Sequence, residues 1–140
     1  MRYLLDTNIF IYLATDVDSL DGDVLALIEE PDAVLCMSVE SVRELIVAYR
    51  NKRFMSKYWK NIIDMIKAIE KEYFIKILPL KREHMVTYAQ MELNDVQDHN
   101  DPSDHIIIAH ALTEHLPLIS SDRKFEFYRK QGLDFIYNSK

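Results

Sequence analysis

Thirteen residues, Asn100 to Leu112 (NDPSDHIIIAHAL), constrain the fold more than any other stretch. Two carboxylates three apart, Asp101 and Asp104, open it, and the residues that follow are almost wholly apolar. Pro102 suits a first helical turn, because its fixed φ is already helical and its missing N–H would have no partner there. A helix built from Ile106, Ile107, Ile108, Ala109, Ala111 and Leu112 has little polar surface to offer water, so it must press against a sheet. One Asp in a first turn can be only a cap that gains from the helix dipole. Two of them on adjacent turns of one face set a pair of charges where the helix leaves the core.

Other segments supply the sheet. Arg2 to Leu5 is a short apolar run that stops at Asp6-Thr7-Asn8 and resumes as Ile9 to Leu13, the pattern of a buried strand, a polar turn and a helix begun at that turn. Asp18 to Glu30 has the spacing of an amphipathic helix, and Ala33 to Met37 reads as a second buried strand. Ser38 is a good N-cap for a helix from Val39 to Arg50 whose apolar face carries Val42, Leu45, Ile46 and Tyr49. Met55 to Tyr73 predicts a long amphipathic helix, its Tyr58 and Trp59 stripe belonging to core or to a subunit interface. A strand at Phe74 to Leu78, a helix at Lys81 to Leu93 and a polar loop at Asn94 to Asn100 follow. Then come the opening helix, a strand at Leu116 to Ser120, a short helix carrying Phe125, Phe127 and Tyr128, and a last strand at Leu133 to Tyr137, after which the end is expected to fray. Strands alternate with helices throughout, which predicts an α/β sandwich of three layers around a small, mostly parallel sheet.

At 140 residues the chain is expected to be a single domain over 1–140 with one substantial core. Cys36 is the only cysteine, so an internal disulfide is excluded. Met1-Arg2-Tyr3 begins no signal-peptide pattern, and the longest apolar runs are broken by Asp, Glu or Arg; the expectation is a cytoplasmic protein with no membrane partner. Only 2 glycines occur, which leaves no phosphate-cradling Gly-rich loop and no dinucleotide fingerprint. A net charge of −6 argues against holding nucleic acid by bulk positive field. It permits nucleic-acid chemistry if several acids converge on a cation and a local basic patch meets the substrate.

Convergence is what the alternation predicts. Asp6 ends the first strand, Asp122 follows the strand at Leu118-Ile119-Ser120, Asp104 opens a helix, and Glu44 sits on the helix after the second strand. Parallel strands put their carboxyl ends on one edge, where ligands gather in open sheets. Clustered carboxylates repel unless a positive charge sits among them, and a hard divalent cation with oxygen ligands, Mg²⁺ or Mn²⁺, is the usual answer. Such an ion activates water and offsets charge on a phosphodiester in the transition state. The plainer readings stand beside this one: Asp6 as cap of the helix begun at Thr7, Asp122 as cap of the helix carrying Phe125, Glu44 and its neighbour Glu40 as solvated helix residues. His84, His99, His105, His110 and His115 lack HExxH spacing; no zinc is expected, and His110 reads as a packed core residue. Arg50, Lys52 and Arg53 are the candidates for backbone contacts, or simply compensate a helix end.

Four motifs in order, LLDTN, SVESVREL, NDPSDHIIIAHAL and LISSDRKF, make the chain resemble PIN-domain ribonucleases of the VapC toxin type from Leu4 to Phe135. The third is similar to the family's D-P-F-D-R-hydrophobic-I-A-x-A-L, and the fourth to its T-x-D turn. The resemblance implies a PIN-like fold and an endoribonuclease dependent on Mg²⁺ or Mn²⁺. It further implies a homodimer, a cognate antitoxin, and structured RNA such as tRNA as substrate. By position it makes Asp6, Glu44, Asp104 and Asp122 the acidic quartet, with Asp6 and Asp104 the foremost metal ligands. Asp101 binds the metal through water or caps its helix, and Thr7, Asn8 and Ser120 hold the carboxylates by hydrogen bonds. Ser103 stands where the family has Phe, and His105 where it has Arg. Two other functions use the same residues: a catalytically quiet binding or scaffold domain, and a metal-dependent phosphatase or DNA nuclease.

Overall fold

A computed structural model describes residues 1–54 and 59–140 of the chain. Its centre is a five-stranded sheet in the order β3-β2-β1-β4-β5, with every pairing parallel. The strands are β1 (Arg2–Leu5), β2 (Val34–Ser38), β3 (Lys76–Leu78), β4 (Leu118–Ser120) and β5 (Phe135–Tyr137). Leu4 of β1 lies opposite Cys36 of β2 and Leu118 of β4. From β1 the chain builds outward to β2 and β3, then returns to the other side of β1 for β4 and β5. The order therefore reverses between β1 and β4. In a parallel sheet that switch point opens a crevice at the carboxyl ends of the strands, because the flanking connections leave it in opposite directions.

Alternation along β1 divides the core. Tyr3 and Leu5 pack on one face with Ile9 and Phe10 of α1 (Thr7–Thr15), Val24 of α2 (Gly22–Glu29) and Leu45 of α3 (Val39–Arg50). Met65, Ala68 and Ile69 of α4 (Ile62–Lys71) complete that layer. Leu4 packs on the other face with Ile107, Ile108 and Ala111 of α6 (Pro102–Glu114) and with Phe125 and Tyr128. The expected three-layer α/β sandwich is the observed one. The apolar run after Asp104 lies buried at Ile107, Ile108, Ala109 and Ala111, behind α5 (Arg82–Gln90).

Boundaries moved where caps outcompete periodicity. The helix expected from Met55 begins at Ile62, because Asn61 caps it by accepting from the Asp64 N–H at 2.9 Å. The expected part over 55–58, Tyr58 included, lies outside the described residues. Trp59 is buried, stacked on Phe10 with planes 9° apart, which makes it core. Asp18 to Glu30 splits into a 3-10 turn at Val17–Ser19 and α2, and the segment after Asp122 is a 3-10 run, Arg123–Gln131.

The carboxyl-terminal end does not fray as expected. Asn138 is fully buried, its Oδ1 accepting from the Asp21 N–H (2.7 Å) and its Nδ2 donating to Ser19 O (2.9 Å) and Ser121 Oγ (3.0 Å). Asn138→Ala removes all three bonds and strands an amide, so the chain should lose about 2–3 kcal/mol of stability. Urea unfolding with an unchanged m-value checks this; a loss under about 0.5 kcal/mol would show that water replaces the bonds.

Candidate active site

Three of the acids, Asp6, Asp101 and Asp122, reach the crevice as caps of the element that follows each. Asp6 is the residue after β1, extended (φ −64, ψ 156), with its N–H bonded to Ile119 O of β4 at 2.9 Å. Its Oδ1 accepts from the Thr7 N–H at 2.8 Å and its Oδ2 from the Ser120 hydroxyl at 2.7 Å, so the carboxylate caps α1 and is tied to β4 at once. Asp101 caps α6 by accepting from the Ser103 N–H (2.9 Å), and Pro102 follows at the first helical position. Asp122 caps the 3-10 run by accepting from the Lys124 N–H (2.9 Å) and donates its own N–H to Ser120 Oγ (3.1 Å). Capping engages only Oδ1 of Asp101 and of Asp122. A cap and a site carboxylate are thus not exclusive roles, since each group keeps a second oxygen.

These residues line one cavity of about 640 Å³: Asp6, Thr7, Asn8, Glu44, Asp101, Ser103, Asp104 and Asp122, with Ile11, Val47 and Ala48 as an apolar wall. Glu44, Asp101 and Asp104 offer oxygens within 4.8 Å of one another, and so do His99, Asp104 and Asp122 with one ligand atom each. Asp104 belongs to both trios and is the centre of the arrangement; Asp6 belongs to neither and faces the same cavity. Glu44 is half-buried, not solvated, and accepts from the Thr7 hydroxyl at 2.5 Å. Asn8 is exposed at the cavity, with no side-chain bond to a carboxylate among the described residues.

The electrostatics record the crowding. Burial, then the charge of Asp104, push Asp6 up to about 7, against the lowering bonds from Ser120 and Thr7. Burial also raises Glu44, with Asp104 and Asp101 adding to the rise and the Thr7 bond opposing it. Asp104 is raised by burial, opposed by its bond from His99 and raised further by Asp101 and Asp122. Each acid disfavours its neighbours' charge. The donor set is hard oxygen at short spacing with excess negative charge, which fits Mg²⁺ or Mn²⁺.

Three features escaped the sequence reading. Glu40 is buried rather than solvated, gripping Arg43 through Nε and Nη2; burial pushes its carboxyl up, but the Arg43 bonds bring it below its ordinary value. The opposite charges three apart on one helix were its only signal. Arg43, which the sequence did not single out, lines the cavity beside Arg53, one of the three basic residues expected to meet the substrate; Arg50 and Lys52 do not. His99, from the polar loop before α6, is 2% exposed and places Nε2 3.0 Å from Asp104 Oδ2. No periodicity marks a loop histidine, so only the fold could find it. His110 is buried as expected, its Nδ1 2.9 Å from Ser38 Oγ. Ser103 is buried with its hydroxyl in electrostatic reach of Glu40 and Glu44, though in hydrogen-bond geometry with neither. His105 points inward and donates Nε2–H to the His99 carbonyl at 2.7 Å.

Among known proteins, the family model for the PIN domain matches residues 3–131. The structure of VapBC-1 from nontypeable Haemophilus influenzae aligns over 100% of both chains at TM-score 0.70 and 28% identity. VapBC2 from Rickettsia felis, bound to a DNA fragment from the promoter, aligns over 99% of this chain and 100% of its own at TM-score 0.74 and 20% identity. VapBC-5 from Mycobacterium tuberculosis, a member of the VapBC family of toxin-antitoxin systems, covers 98% of this chain and 97% of its own at TM-score 0.62 and 23% identity. No curated protein matches the sequence. Among the described residues no helix is long and apolar enough to cross a membrane.

Proposed function

Because the chain belongs to the PIN-domain family and has the fold of its VapC type, we propose that it is an endoribonuclease toxin dependent on Mg²⁺ or Mn²⁺. One observation carries the reading: Asp6, Glu44 and Asp104, all with raised affinity for protons, converge at the switch point of the sheet. A scaffold has no use for mutually destabilising acids, whereas a nuclease needs the negative well they make. Asp6 and Asp104 would hold the metal, with Asp122 beside them and Asp101 directly or through water. A bound cation supplies Lewis-acid activation of water and offsets charge on the phosphodiester.

The chain's own groups do the positioning. Ser120 and the Thr7 amide hold both oxygens of Asp6, and the Thr7 hydroxyl holds Glu44 across the cavity. Arg53 and, paired with Glu40, Arg43 are the basic groups at a cavity whose other charged groups are acids, and Arg53 is the contact for the RNA backbone phosphates. Arg53→Ala should raise KM for RNA about tenfold with kcat nearly unchanged and make the salt dependence shallower by about one unit of slope. A fall in kcat at constant KM would place Arg53 in the chemical step instead.

In this reading residues 1–140 form one domain that acts in the cytoplasm, pairs as a homodimer and is silenced by a cognate antitoxin; the described VapBC structures support that partnership. The test is a panel of tRNA, single-stranded DNA and a phosphomonoester, with Mg²⁺ or Mn²⁺ and with EDTA. Cleavage of RNA alone, abolished by EDTA, is expected. Hydrolysis of the monoester alone would overturn the ribonuclease assignment in favour of a phosphatase.

A further inference from the structure

We infer that His99 is a positioning residue of this site, holding the Asp104 carboxylate in one orientation through a buried hydrogen-bonded chain from Asn94 through Tyr128. The inference rests on the metal-dependent nuclease reading above. The chain has a defined direction. The Asn94 N–H donates to the Tyr128 hydroxyl oxygen at 3.1 Å, and that oxygen lies 2.9 Å from His99 Nδ1. Tyr128 is fully buried, so its own hydrogen has one use, donation to Nδ1. Nδ1 is then the acceptor, and the ring's hydrogen sits on Nε2, aimed at Asp104 Oδ2 3.0 Å away. His105 pins the same loop from behind by donating to the His99 carbonyl, and the rings of His105 and Phe125 flank the imidazole at 5.0 and 5.6 Å.

The alternative is His99 as a direct metal ligand, since it lies in a trio with Asp104 and Asp122. Coordination through Nε2 would move the ring hydrogen to Nδ1. Tyr128 would then accept from both Asn94 and His99, and its own fully buried hydroxyl hydrogen would be left without an acceptor. That is the kind of buried unpaired group folded proteins avoid. The positioning role costs nothing of this sort and meets a need. Asp101, Asp122 and Asp6 all push on Asp104, and a carboxylate on a first helical turn would swing away from them. The Nε2–H of His99 is the restraint that keeps it facing them.

The test starts without metal. Nitrogen-15 NMR of the imidazoles in the metal-free wild type is expected to show His99 protonated at Nε2 and accepting at Nδ1; the reverse tautomer overturns the inference. Manganese binding is then followed by electron paramagnetic resonance in wild type, His99→Ala, His99→Gln and Tyr128→Phe. His99→Ala should weaken Mn²⁺ binding ten- to hundredfold, as loss of a partner behind a metal ligand typically does. His99→Gln, whose amide N–H can replace Nε2–H, should stay within about threefold of wild type, and Tyr128→Phe should fall between. Pulsed spectra of the wild type should lack coupling to a directly bound imidazole nitrogen. Equal binding by His99→Ala, or such a coupling, overturns the positioning role. Absence of binding in the wild type itself overturns the nuclease reading beneath it, and circular dichroism separates all of these from a variant that fails to fold.

Discussion

Asp104→Asn is expected to reduce RNA cleavage on the order of 10³-fold or more while the chain stays folded, with a thermal midpoint at or above that of the wild type. Both halves follow from the geometry. Asp104 is the one residue common to both ligand trios, so neutralising it removes a donor from either possible cation position. Asparagine keeps an oxygen in place to accept from His99 Nε2, so the buried chain to Tyr128 survives. What disappears is a negative charge that burial, Asp101 and Asp122 all oppose. Relief of that repulsion stabilises the metal-free protein, and 1 kcal/mol corresponds to roughly 3–5 °C for a chain of this length. Cleavage assays and thermal melts on one preparation decide it. Activity within tenfold of wild type would remove Asp104 from the chemistry, and an unfolded variant would make it a structural residue that holds the loop at His99.

In EDTA, thermal stability is expected to fall as pH rises from about 4 to about 7, and added Mn²⁺ is expected to restore it most at the high end. Asp6 has an ordinary value near 3.8 and is pushed to about 7 in the fold, by burial first and by Asp104 next. Between those values the folded chain keeps a proton that the unfolded chain has released. Its contribution to stability is therefore complete below pH 4 and lost by pH 7, amounting to as much as about 4 kcal/mol. Asp104 and Glu44 are raised as well and act with the same sign. A cation binds the deprotonated set, so its stabilisation grows over the same interval. Asp6→Asn should flatten the slope relative to wild type, which isolates this group from surface ion pairs such as Glu126 with Arg129. A slope of opposite sign, or Mn²⁺ acting equally at pH 5 and pH 8, would contradict the account.

How legible the molecule was depended on whether a feature is periodic. β1 and the buried helix α6 are repeated apolar signals bounded by polar residues, and both stand where the reading put them. Asp6, Glu44, Asp101, Asp104 and Asp122 were all named from the sequence, and the sheet order explains why residues so far apart line one cavity. The start of α4 was misplaced because apolar spacing continues upstream of Asn61, while the backbone turns where Asn61 caps. Glu40 was misread because a charge on a helix looks solvated until the packing of its face is known. His99 was invisible for a different reason: its partners, Tyr128 and Asp104, are joined to it only by tertiary structure. The His105 and Ser103 positions, departures from the family pattern, both turn inward, and His105 supports the loop that carries His99.

Whether these carboxylates form a cation site is decided by titrating Mn²⁺ into wild type and Asp104→Asn by calorimetry at pH 7.5 without substrate. Saturable heat is expected in the wild type and is expected to be lost in the variant. Equal heats from both, or none from either, would leave a PIN-type fold whose acids serve only as caps and hydrogen-bond partners.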